Sequence, residues 1–387
     1  MNNILFNVHD MVQVMTAVLC CLFGIVVLVS GKFKPVSAML LAGFMVAQAL
    51  IASHELIMYA EQFRYHVLGF SPNLFFIGSF AYLLDGPLIY LYVSSLIYGD
   101  FKLSRQHLGH FVPLMAYFIY MMVVFYSQDL AFKHQIIHFF RFDLISHYLP
   151  IDALIKASRL FYLGFCLLLI REYRDRLKDT RSDIEAVDLS WLKLLVIGFL
   201  VVIFIALLLA IIKLLAIYYY IEISLLVWMG LTGYYLVFLL VILLFFFSAV
   251  NISSVERIEK RPKKQLDNQE QLNPEYIERI ERIMGEQKPY LIPNINFDSL
   301  SEKLDIPPRE LSFTLNGHFK MNFYEFINFY RIQEAKLILA SKEHLDKTIT
   351  DIFHHVGFNS KSVFNVFFKK YTGMTPSEFR KQCQREN

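Results

Sequence analysis

Seven long apolar runs in the first 250 residues constrain the fold of this chain more than any other feature. Of its 387 residues, 56% are hydrophobic and 18% are charged, and the apolar residues thin out abruptly after Val250. A helix needs about 20 apolar residues to cross a bilayer. The sequence therefore predicts an all-α, seven-helix transmembrane bundle over residues 1–250. The runs lie near residues 11–30, 36–58, 74–98, 109–127, 153–171, 191–216 and 224–249.

Lysine and arginine in the loops predict how this bundle is oriented. Cytoplasmic loops are enriched in these two residues. With the N-terminus outside, the inner loops carry nine of them and the outer loops carry three. The basic stretch at residues 257–264 then also faces the cytoplasm. The first run lacks a preceding basic segment, so we interpret it as a retained span and not as a signal peptide.

Six ionisable residues fall within or at the ends of the predicted spans. A charge at membrane depth costs roughly 3 kcal/mol unless it is paired or hydrated. With the N-terminus outside, all six lie in the middle or the outer half of the membrane, which suggests a polar pocket where a signal binds. The alternative is that Asp85 pairs with Lys156 or Arg159 and holds the bundle together. The candidate pocket residues are Glu55, Asp85, Lys156, Arg159, Lys213 and Glu222.

Motifs for catalysis or metal binding are absent from the sequence. The four cysteines have no CxxC or Cys/His spacing, and His54-Glu55 does not continue into HExxH because residue 58 is methionine. His134 and His138 are four residues apart, but they have no evident acidic or cysteine partner. We therefore expect no enzyme activity, no metal and no cofactor.

The chain becomes polar after residue 250, which predicts a linker over residues 251–287. Pro262 should end any extension of the seventh helix, and residues 262–273 have the composition of a flexible tether that spans roughly 20 Å. A loose tether transmits rotation poorly. The signal is then more easily passed on by a change in the association of two copies, for example in a homodimer.

An apolar stripe from Pro274 onward predicts an amphipathic helix. We expect this helix to cover the domain that follows it, with the pairing of two chains as the alternative. The domain itself is predicted over residues 288–387. The stripe consists of Tyr276, Ile277, Ile280, Ile283 and Met284.

The stretch Ile349–Arg380 predicts two short helices joined by a tight turn. Gly357 follows the first apolar helix, where a left-handed cap favours a residue without a Cβ. Asn359 or Ser360 can cap the second helix, which carries Val363, Phe364, Phe367 and Phe368 inward. This pattern is typical of a helix-turn-helix. The outer face of the second helix shows Lys361, Ser362, Asn365, Lys369 and Lys370.

Individual residues of this stretch resemble the C-terminal signature of the AraC/XylS family of bacterial transcription regulators. The resemblance covers residues 289–385 and implies a domain of two helix-turn-helix motifs that binds double-stranded DNA. The sequence departs from the family pattern where Phe353 replaces a small residue and where Phe313 and Val366 stand near frequent arginines. The matching residues are Gly357, Phe358, the F..FFKK run from Phe364 to Lys370, and Gly373, Thr375, Pro376, Phe379 and Arg380.

A second, weaker copy of the same plan lies upstream. Residues 297–304 predict a short helix capped at Asp298 or Ser299, residues 305–307 a turn, and Pro308 suits the first position of the next helix. The connecting helix is predicted over residues 323–341 and would be ~28 Å long. Two recognition helices at its ends could enter major-groove segments one turn, ~34 Å, apart.

The resemblance also implies which residues contact DNA. In the major groove lysine suits guanine and asparagine suits adenine, whereas phosphate contacts position the protein without specifying a sequence. Each residue could instead belong to a solvated face. The implied base contacts are Arg309, Ser312, Lys361, Ser362 and Asn365, and the implied phosphate contacts are Lys369, Lys370, Arg380 and Lys381.

These features together predict a membrane-bound one-component transcription regulator. Its expected partners are double-stranded DNA, the lipid bilayer and an unknown signal from the outer face or the membrane. Its expected location is the bacterial cytoplasmic membrane, with the N-terminus outside and the C-terminal domain in the cytoplasm. The alternative function is a seven-span receptor whose helical tail binds a cytoplasmic protein.

Overall fold

Helices make up the regular secondary structure, and no strand occurs among the residues that the structure describes. The computed structural model describes residues 7–185, 187, 189–215, 224–251, 272–341, 343 and 346–386. The chain divides into two compact units, one of residues 1–171 with 189–260 and one of residues 172–188 with 261–387. The segment 172–188, which joins two apolar helices in sequence, is therefore part of the C-terminal unit.

The N-terminal part of the chain confirms the predicted number of long apolar segments. Seven segments are long and apolar enough to cross a membrane: Val8–Val29, Pro35–Tyr59, Pro72–Ile97, Arg105–Tyr126, Tyr148–Leu177, Ser190–Leu215 and Gly230–Ser248. The α-helices of this part are α1 (Val8–Val29), α2 (Pro35–Tyr59), α3 (Glu61–Phe70), α4 (Asp85–Ile97), α5 (Val112–Met121), α6 (Leu130–Phe139), α7 (Tyr148–Leu177), α8 (Ser190–Leu215) and α9 (Ser224–Asn251).

The third apolar segment is not one continuous α-helix. It begins with 3₁₀ turns at Pro72–Leu74 and Ile77–Leu83, and only α4 is a regular α-helix. Proline has no backbone N–H and its ring clashes with the preceding turn, so Pro87 is accommodated in the first turn of a helix and not in its middle. Asp85 therefore lies at the start of α4 and not in the interior of a long helix.

Helix α2 lies at the centre of the first unit, with buried residues on most of its circumference. Small residues such as Ala38, Ala42, Ala49 and Ala52 are among them. Small side chains let neighbouring helix backbones approach closely. Such close packing stabilises helix pairs in lipid, where the hydrophobic effect does not drive helices together.

The C-terminal unit confirms the predicted order of two helix-turn-helix motifs around a connecting helix. The connecting helix ends at Ala340, one residue before the predicted end. The first motif consists of α11 and α12, and the second consists of α14 and α15. The helices are α10 (Pro274–Glu286), α11 (Phe297–Leu304), α12 (Pro308–Gly317), α13 (Phe323–Ala340), α14 (Ile349–His355), α15 (Lys361–Thr372) and α16 (Pro376–Glu386).

Helix α10 covers the first motif, as we expected. Its residues Ile280 and Met284 are fully buried and share one hydrophobic cluster with Leu300 of α11 and Leu311 of α12. Leu300 and Leu311 would otherwise be exposed by two helices too short to bury them alone. Most of the predicted tether, residues 262–271, lies outside the described residues.

The N-terminal cap of α11 is not one of the two predicted residues. The cap is Asn296, whose Oδ1 accepts a hydrogen bond of 2.8 Å from the N–H of Ser299. Neither Asp298 nor Ser299 occupies the cap position, because the helix already begins at Phe297. The prediction for Pro308 is confirmed, since this proline opens α12.

Candidate DNA-binding surface and a cavity among the spans

The second motif is held together by the aromatic side chains of its own two helices. Phe364 and Phe368 of α15 are fully buried and pack in one cluster with Ile352 and Val356 at the end of α14. Burying an aliphatic or aromatic side chain is worth about 1.5–3 kcal/mol. This cluster fixes which face of α15 points away from the domain.

The turn of the second motif depends on a glycine. Gly357 has a φ of +90°, and a Cβ at this position would come within 2.9 Å of the Leu291 carbonyl oxygen and 3.0 Å of that of Tyr290. The left-handed region and the close approach of these two backbone oxygens both favour glycine. The turn is therefore fixed by local conformation and by packing.

The outward face of α15 is polar and basic. Lys361, Ser362, Lys369 and Lys370 are exposed and Asn365 is half-buried. Lys370 Nζ also donates a 3.1 Å hydrogen bond to Glu325 of α13, which partly neutralises its charge.

Val366 lies on the same face of α15 and is 67% exposed. It is an apolar side chain in the middle of a polar surface, with Ser362 and Lys370 one turn away on either side. In the sequence, Val366 stands out only as a departure from the family pattern. Its place on the exposed face makes it a candidate contact residue.

The N-terminus of α15 has an unusual arrangement of its polar residues. Ser360 occupies the cap position, but its side chain accepts no capping hydrogen bond. Asn359 Nδ2 donates hydrogen bonds of 2.6 Å to Asp183 Oδ2 and to Asn294 Oδ1. The helix is therefore not capped by either of the two predicted side chains.

The C-terminal helix places its two predicted phosphate contacts differently. Lys381 is exposed, whereas Arg380 is half-buried. Two of its guanidinium nitrogens, Nε and Nη2, are buried without a hydrogen-bond partner in the described part of the chain.

The first motif presents a smaller polar surface. On α12, Arg309 is exposed and Ser312 is half-buried, with Asn316 one turn further on. Asn316 Nδ2 donates a 2.9 Å hydrogen bond to the backbone oxygen of Ser312, so these two residues already interact with each other.

Arg331 of α13 joins the segment that precedes α11 to the turn of the second motif, where its guanidinium lies 5.4 Å from the ring centre of Phe358; it was not identified from the sequence. It is 1% exposed, and its guanidinium donates to the backbone oxygens of Tyr290 at 2.7 Å and Ile292 at 3.0 Å. Burial lowers the pKa of Arg331 to about 10, partly offset by the negative charge of Asp183. The sequence offers one sign of this role, because Arg331 stands among the aromatic and aliphatic residues of α13. An arginine in such surroundings is expected to be buried only if its guanidinium is hydrogen-bonded.

The first unit contains a cavity of about 120 Å³ among its helices. Apolar residues of α8 and α9 line one side of it, including Phe199, Ile203 and Val237. The polar part of the lining consists of Gln13, Gln48, Glu55, Tyr82, Lys156, Arg159 and Tyr234. Glu55, Lys156 and Arg159 are three of the six predicted pocket residues.

Two ion pairs involve the predicted pocket residues. Arg159 Nε lies 2.9 Å from Asp85 Oδ2 and Nη2 lies 2.5 Å from the same oxygen, and Gln48 donates to this oxygen as well. Lys156 pairs with Asp152, one turn earlier on α7. Of the two partners that the sequence suggested for Asp85, the structure shows Arg159 and not Lys156.

Glu55 accepts hydrogen bonds from two tyrosines, and no ion pair of this carboxylate occurs among the described residues. Tyr234 OH donates to Glu55 Oε2 at 2.9 Å, and Tyr82 OH donates to Oε1. Sequence reasoning missed both tyrosines, because the 179-residue separation of Tyr234 and Glu55 leaves no local pattern.

The two remaining predicted pocket residues do not join this group. Lys213 is not part of the cavity lining, and its Nζ lies 6.0 Å from the centre of the Tyr59 ring. Glu222 lies outside the described residues. No group of three or more histidine, cysteine, aspartate or glutamate side chains in the described ranges could hold a metal ion.

Comparisons with known proteins concern the C-terminal part of the chain. Residues 300–382 match the family described as "Helix-turn-helix domain". An uncharacterized HTH-type transcriptional regulator of Staphylococcus aureus (strain COL) is 34% identical over 87 residues, which is 22% of this chain and 11% of the relative. The arabinose operon regulatory protein of Escherichia coli (strain K12) is 32% identical over 91 residues, 23% of this chain and 30% of the relative.

A longer but weaker match is the Msm operon regulatory protein of Streptococcus mutans, 24% identical over 127 residues, which is 33% of this chain and 44% of the relative. The chain therefore spans less than half of the length of each of these relatives. No solved structure matches the chain.

Proposed function

We propose that this chain, whose C-terminal domain is a helix-turn-helix domain of the AraC type, is a membrane-bound transcription regulator. Seven apolar helices hold it in the bacterial cytoplasmic membrane, with the N-terminus outside and the helix-turn-helix motifs in the cytoplasm. The seven-helix part senses a signal, and the C-terminal part binds promoter DNA in a sequence-specific way. The orientation rests on the excess of basic residues in the inner loops.

The polar outward face of α15 is the observation that carries this function. A recognition helix reads base edges with side chains near its N-terminus. Lys361, Ser362 and Asn365 stand at those positions, and the phenylalanines on the opposite face are buried. We assign base contacts to these three and to Arg309 and Ser312 of α12. Phosphate contacts are assigned to Lys369, Lys370, Arg380 and Lys381.

Val366 adds an apolar contact to this assignment. Among the base-pair edges in the major groove, only thymine presents a methyl group. An exposed valine on the reading face suits that methyl group better than it suits any hydrogen-bonding edge. A thymine in the bound sequence would therefore face Val366.

The cavity of the first unit is the proposed site of the signal. Its polar part combines Glu55 with two tyrosine hydroxyls, and its apolar side is supplied by α8 and α9. Ligand sites are commonly apolar pockets with a few polar groups that fix the orientation. The cavity supports signal binding at this place. The Asp85–Arg159 pair is weaker support, because an ion pair between two helices can also serve only to hold the bundle together.

The experiment is selection of DNA from a random pool by the full chain in lipid nanodiscs. We expect one enriched sequence, bound with an affinity that falls steeply with salt because phosphate contacts release counterions. Lys361→Ala and Asn365→Ala should each weaken binding to the enriched sequence by about tenfold, the cost of one lost base contact. Arg282→Ala, an exposed position on α10, is the charge-matched control and should leave the affinity within about twofold.

Absence of any enriched sequence would remove the DNA-reading function. Binding that depends on salt but shows no base preference would mean a generally basic surface. The alternative of a tail that binds a protein would then remain.

A further inference from the structure

The segment 172–188 consists of the last residues of α7 and the chain that leads to α8, and it packs within the C-terminal unit. Backbone hydrogen bonds join this segment to the starts of α11 and α13. The N–H of Phe297 donates to the Thr180 oxygen at 3.0 Å, and the N–H of Tyr324 donates to the Lys178 oxygen at 2.9 Å. Because the first N–H groups of a helix have no intrahelical partner, this segment satisfies donors at the start of both α11 and α13.

Side chains extend this contact into the core of the unit. Ser182 is 2% exposed, and its hydroxyl donates to the Ile295 oxygen at 2.7 Å. Asn328 of α13, which is fully buried, donates from Nδ2 to the Ser182 oxygen at 3.4 Å. Ile184 of the same segment is also 2% exposed. Buried polar contacts and a buried isoleucine identify a docked segment and not a loose loop.

The C-terminal part of the segment lies beside the N-terminus of α15, the reading helix of the proposed function. Asp183 Oδ2 accepts a 2.6 Å hydrogen bond from Asn359, which immediately precedes the cap of α15. From residue 183 to residue 188 the sequence contains three acidic residues and no basic one. Burial, together with the charges of Glu185 and Asp183, raises the pKa of Tyr324 to about 12, so these carboxylates act on the C-terminal unit.

Bound DNA would occupy the space next to the N-terminus of α15, where Asp183 lies. The N-terminus of a recognition helix enters the major groove, and its free N–H groups and dipole attract phosphates. A carboxylate held at Asn359 puts a like charge where the DNA backbone approaches. At a few ångströms such a repulsion costs about 1–4 kcal/mol, depending on how well water screens it.

We propose that the segment 172–188 is an inhibitory arm whose docked form weakens DNA binding by holding Asp183 against the start of α15. The arm includes the end of α7 and continues into α8, so a rearrangement of these two helices acts on it directly. It provides a route from the spans to the reading helix that does not depend on residues 262–273. The inference rests on the proposed function, because it concerns the strength of DNA binding.

Coupling of this kind is reciprocal. If the docked arm opposes DNA, then bound DNA must oppose docking of the arm. The amides of Phe297 and Tyr324 report docking, since the arm carbonyls are their acceptors.

The test uses the full chain in lipid nanodiscs and the DNA sequence that the unmutated chain enriches. Asp183→Asn keeps the side-chain shape and one acceptor oxygen but removes the charge. We expect it to bind this DNA about fivefold more tightly at low salt, with a smaller gain at high salt because the repulsion is screened. Glu185→Gln removes the same charge from an exposed residue of the same arm that has no hydrogen bond to Asn359, and should alter the affinity less than twofold.

Hydrogen exchange supplies the second measurement. The amides of Phe297 and Tyr324 should exchange faster in the DNA complex than in the free chain. Equal or weaker DNA binding by Asp183→Asn than by Glu185→Gln would overturn the proposal, and so would unchanged protection of both amides in the complex. If neither the unmutated chain nor Asp183→Asn enriches any sequence, the DNA-reading function fails and this inference falls with it.

Discussion

The first and second helix-turn-helix motifs differ most in the turns between their helices. In the first turn Asp305 adopts a φ of +53°, a left-handed conformation that aspartate tolerates. In the second turn Gly357 adopts +90°, and a Cβ at this position would meet two backbone oxygens. The first turn thus depends on a replaceable residue, whereas the second depends on the absence of a side chain.

The outward faces of the two recognition helices also differ, and that of the second motif is the more basic. The second recognition helix exposes three lysines and Val366, while the first exposes Arg309 and is flanked by the half-buried Glu310. Arg331 donates to the Tyr290 oxygen, and its guanidinium lies 5.4 Å from the ring centre of Phe358 in the second turn. We infer that the second motif dominates affinity and sequence choice, and that the first adds a weaker contact.

The largest expected effect comes from the turn glycine. Gly357→Ala should destabilise the C-terminal unit by about 2 kcal/mol or more, because the new Cβ meets both strain and backbone atoms. Asp305→Gly is the matched change in the first turn and should cost less than about 1 kcal/mol. Pulse proteolysis of the full chain in urea measures both. Equal costs at the two turns would end the distinction between them.

Arg331→Met tests the connection between the motifs. It leaves the Tyr290 and Ile292 oxygens without their donor, which should cost about 2–3 kcal/mol. Lys303→Met, on the exposed surface of α11, removes the same charge and should change stability by less than about 0.5 kcal/mol. The readout is the urea midpoint of proteolytic protection, and a similar midpoint for both variants would contradict the buried network.

The reading faces can be compared directly by one substitution in each. Lys361→Ala should reduce affinity for the selected DNA by about tenfold and Arg309→Ala by about threefold, within the range expected for a lost base contact and a weaker one. Fluorescence anisotropy at fixed salt measures both. A larger loss at Arg309 would reverse the assignment of the dominant motif.

Val366 provides a smaller and more specific test. Replacing thymines of the selected site by uracil removes only methyl groups, and should weaken binding by the unmutated chain about threefold, roughly one methyl contact. Val366→Ala should bind both versions about equally. If the variant still distinguishes thymine from uracil, another residue contacts the methyl group.

The smallest expected difference concerns acid. The carboxylates of Asp351 and Glu378 accept hydrogen bonds from Thr348 and Thr375 at the starts of α14 and α16, and these bonds lower the pKa of both below the ordinary values of 3.8 and 4.5. A lowered pKa contributes stability that is present above the ordinary value and lost as the pH falls through the folded-state value. The first motif is capped at α11 by the neutral Asn296.

Acid should therefore loosen α14 and α16 before α11. Hydrogen exchange of residues 348–380 and of residues 296–317, followed as the pH is lowered below 4.5, measures the order of loosening. Asp351→Asn combined with Glu378→Gln should abolish the difference. Simultaneous loosening of both regions in the unmutated chain would argue against the capping explanation.

Much of the C-terminal unit could be predicted, because its helices and turns are determined by residues that are close to one another in sequence. The spacing of Phe364 and Phe368 predicts the buried face of α15, and the position of Gly357 predicts the turn. The cap of α11 was placed two or three residues late, since Asn296, Asp298 and Ser299 are all good cap residues and sequence alone does not rank them. Arg331 was missed because its acceptors are backbone oxygens about 40 residues away.

The sequence by itself determined the number of long apolar segments, the order of the two motifs and the exposed face of the second recognition helix. Apolar run length and helical periodicity are enough for these, because each depends on residues within a few turns of one another. Only the tertiary structure decided that Glu55 meets Tyr234, that Asp85 pairs with Arg159, and that residues 172–188 dock in the C-terminal unit. Such contacts join residues 74 to 179 positions apart, and a chain closes loops of that length only when the folded state supplies both partners.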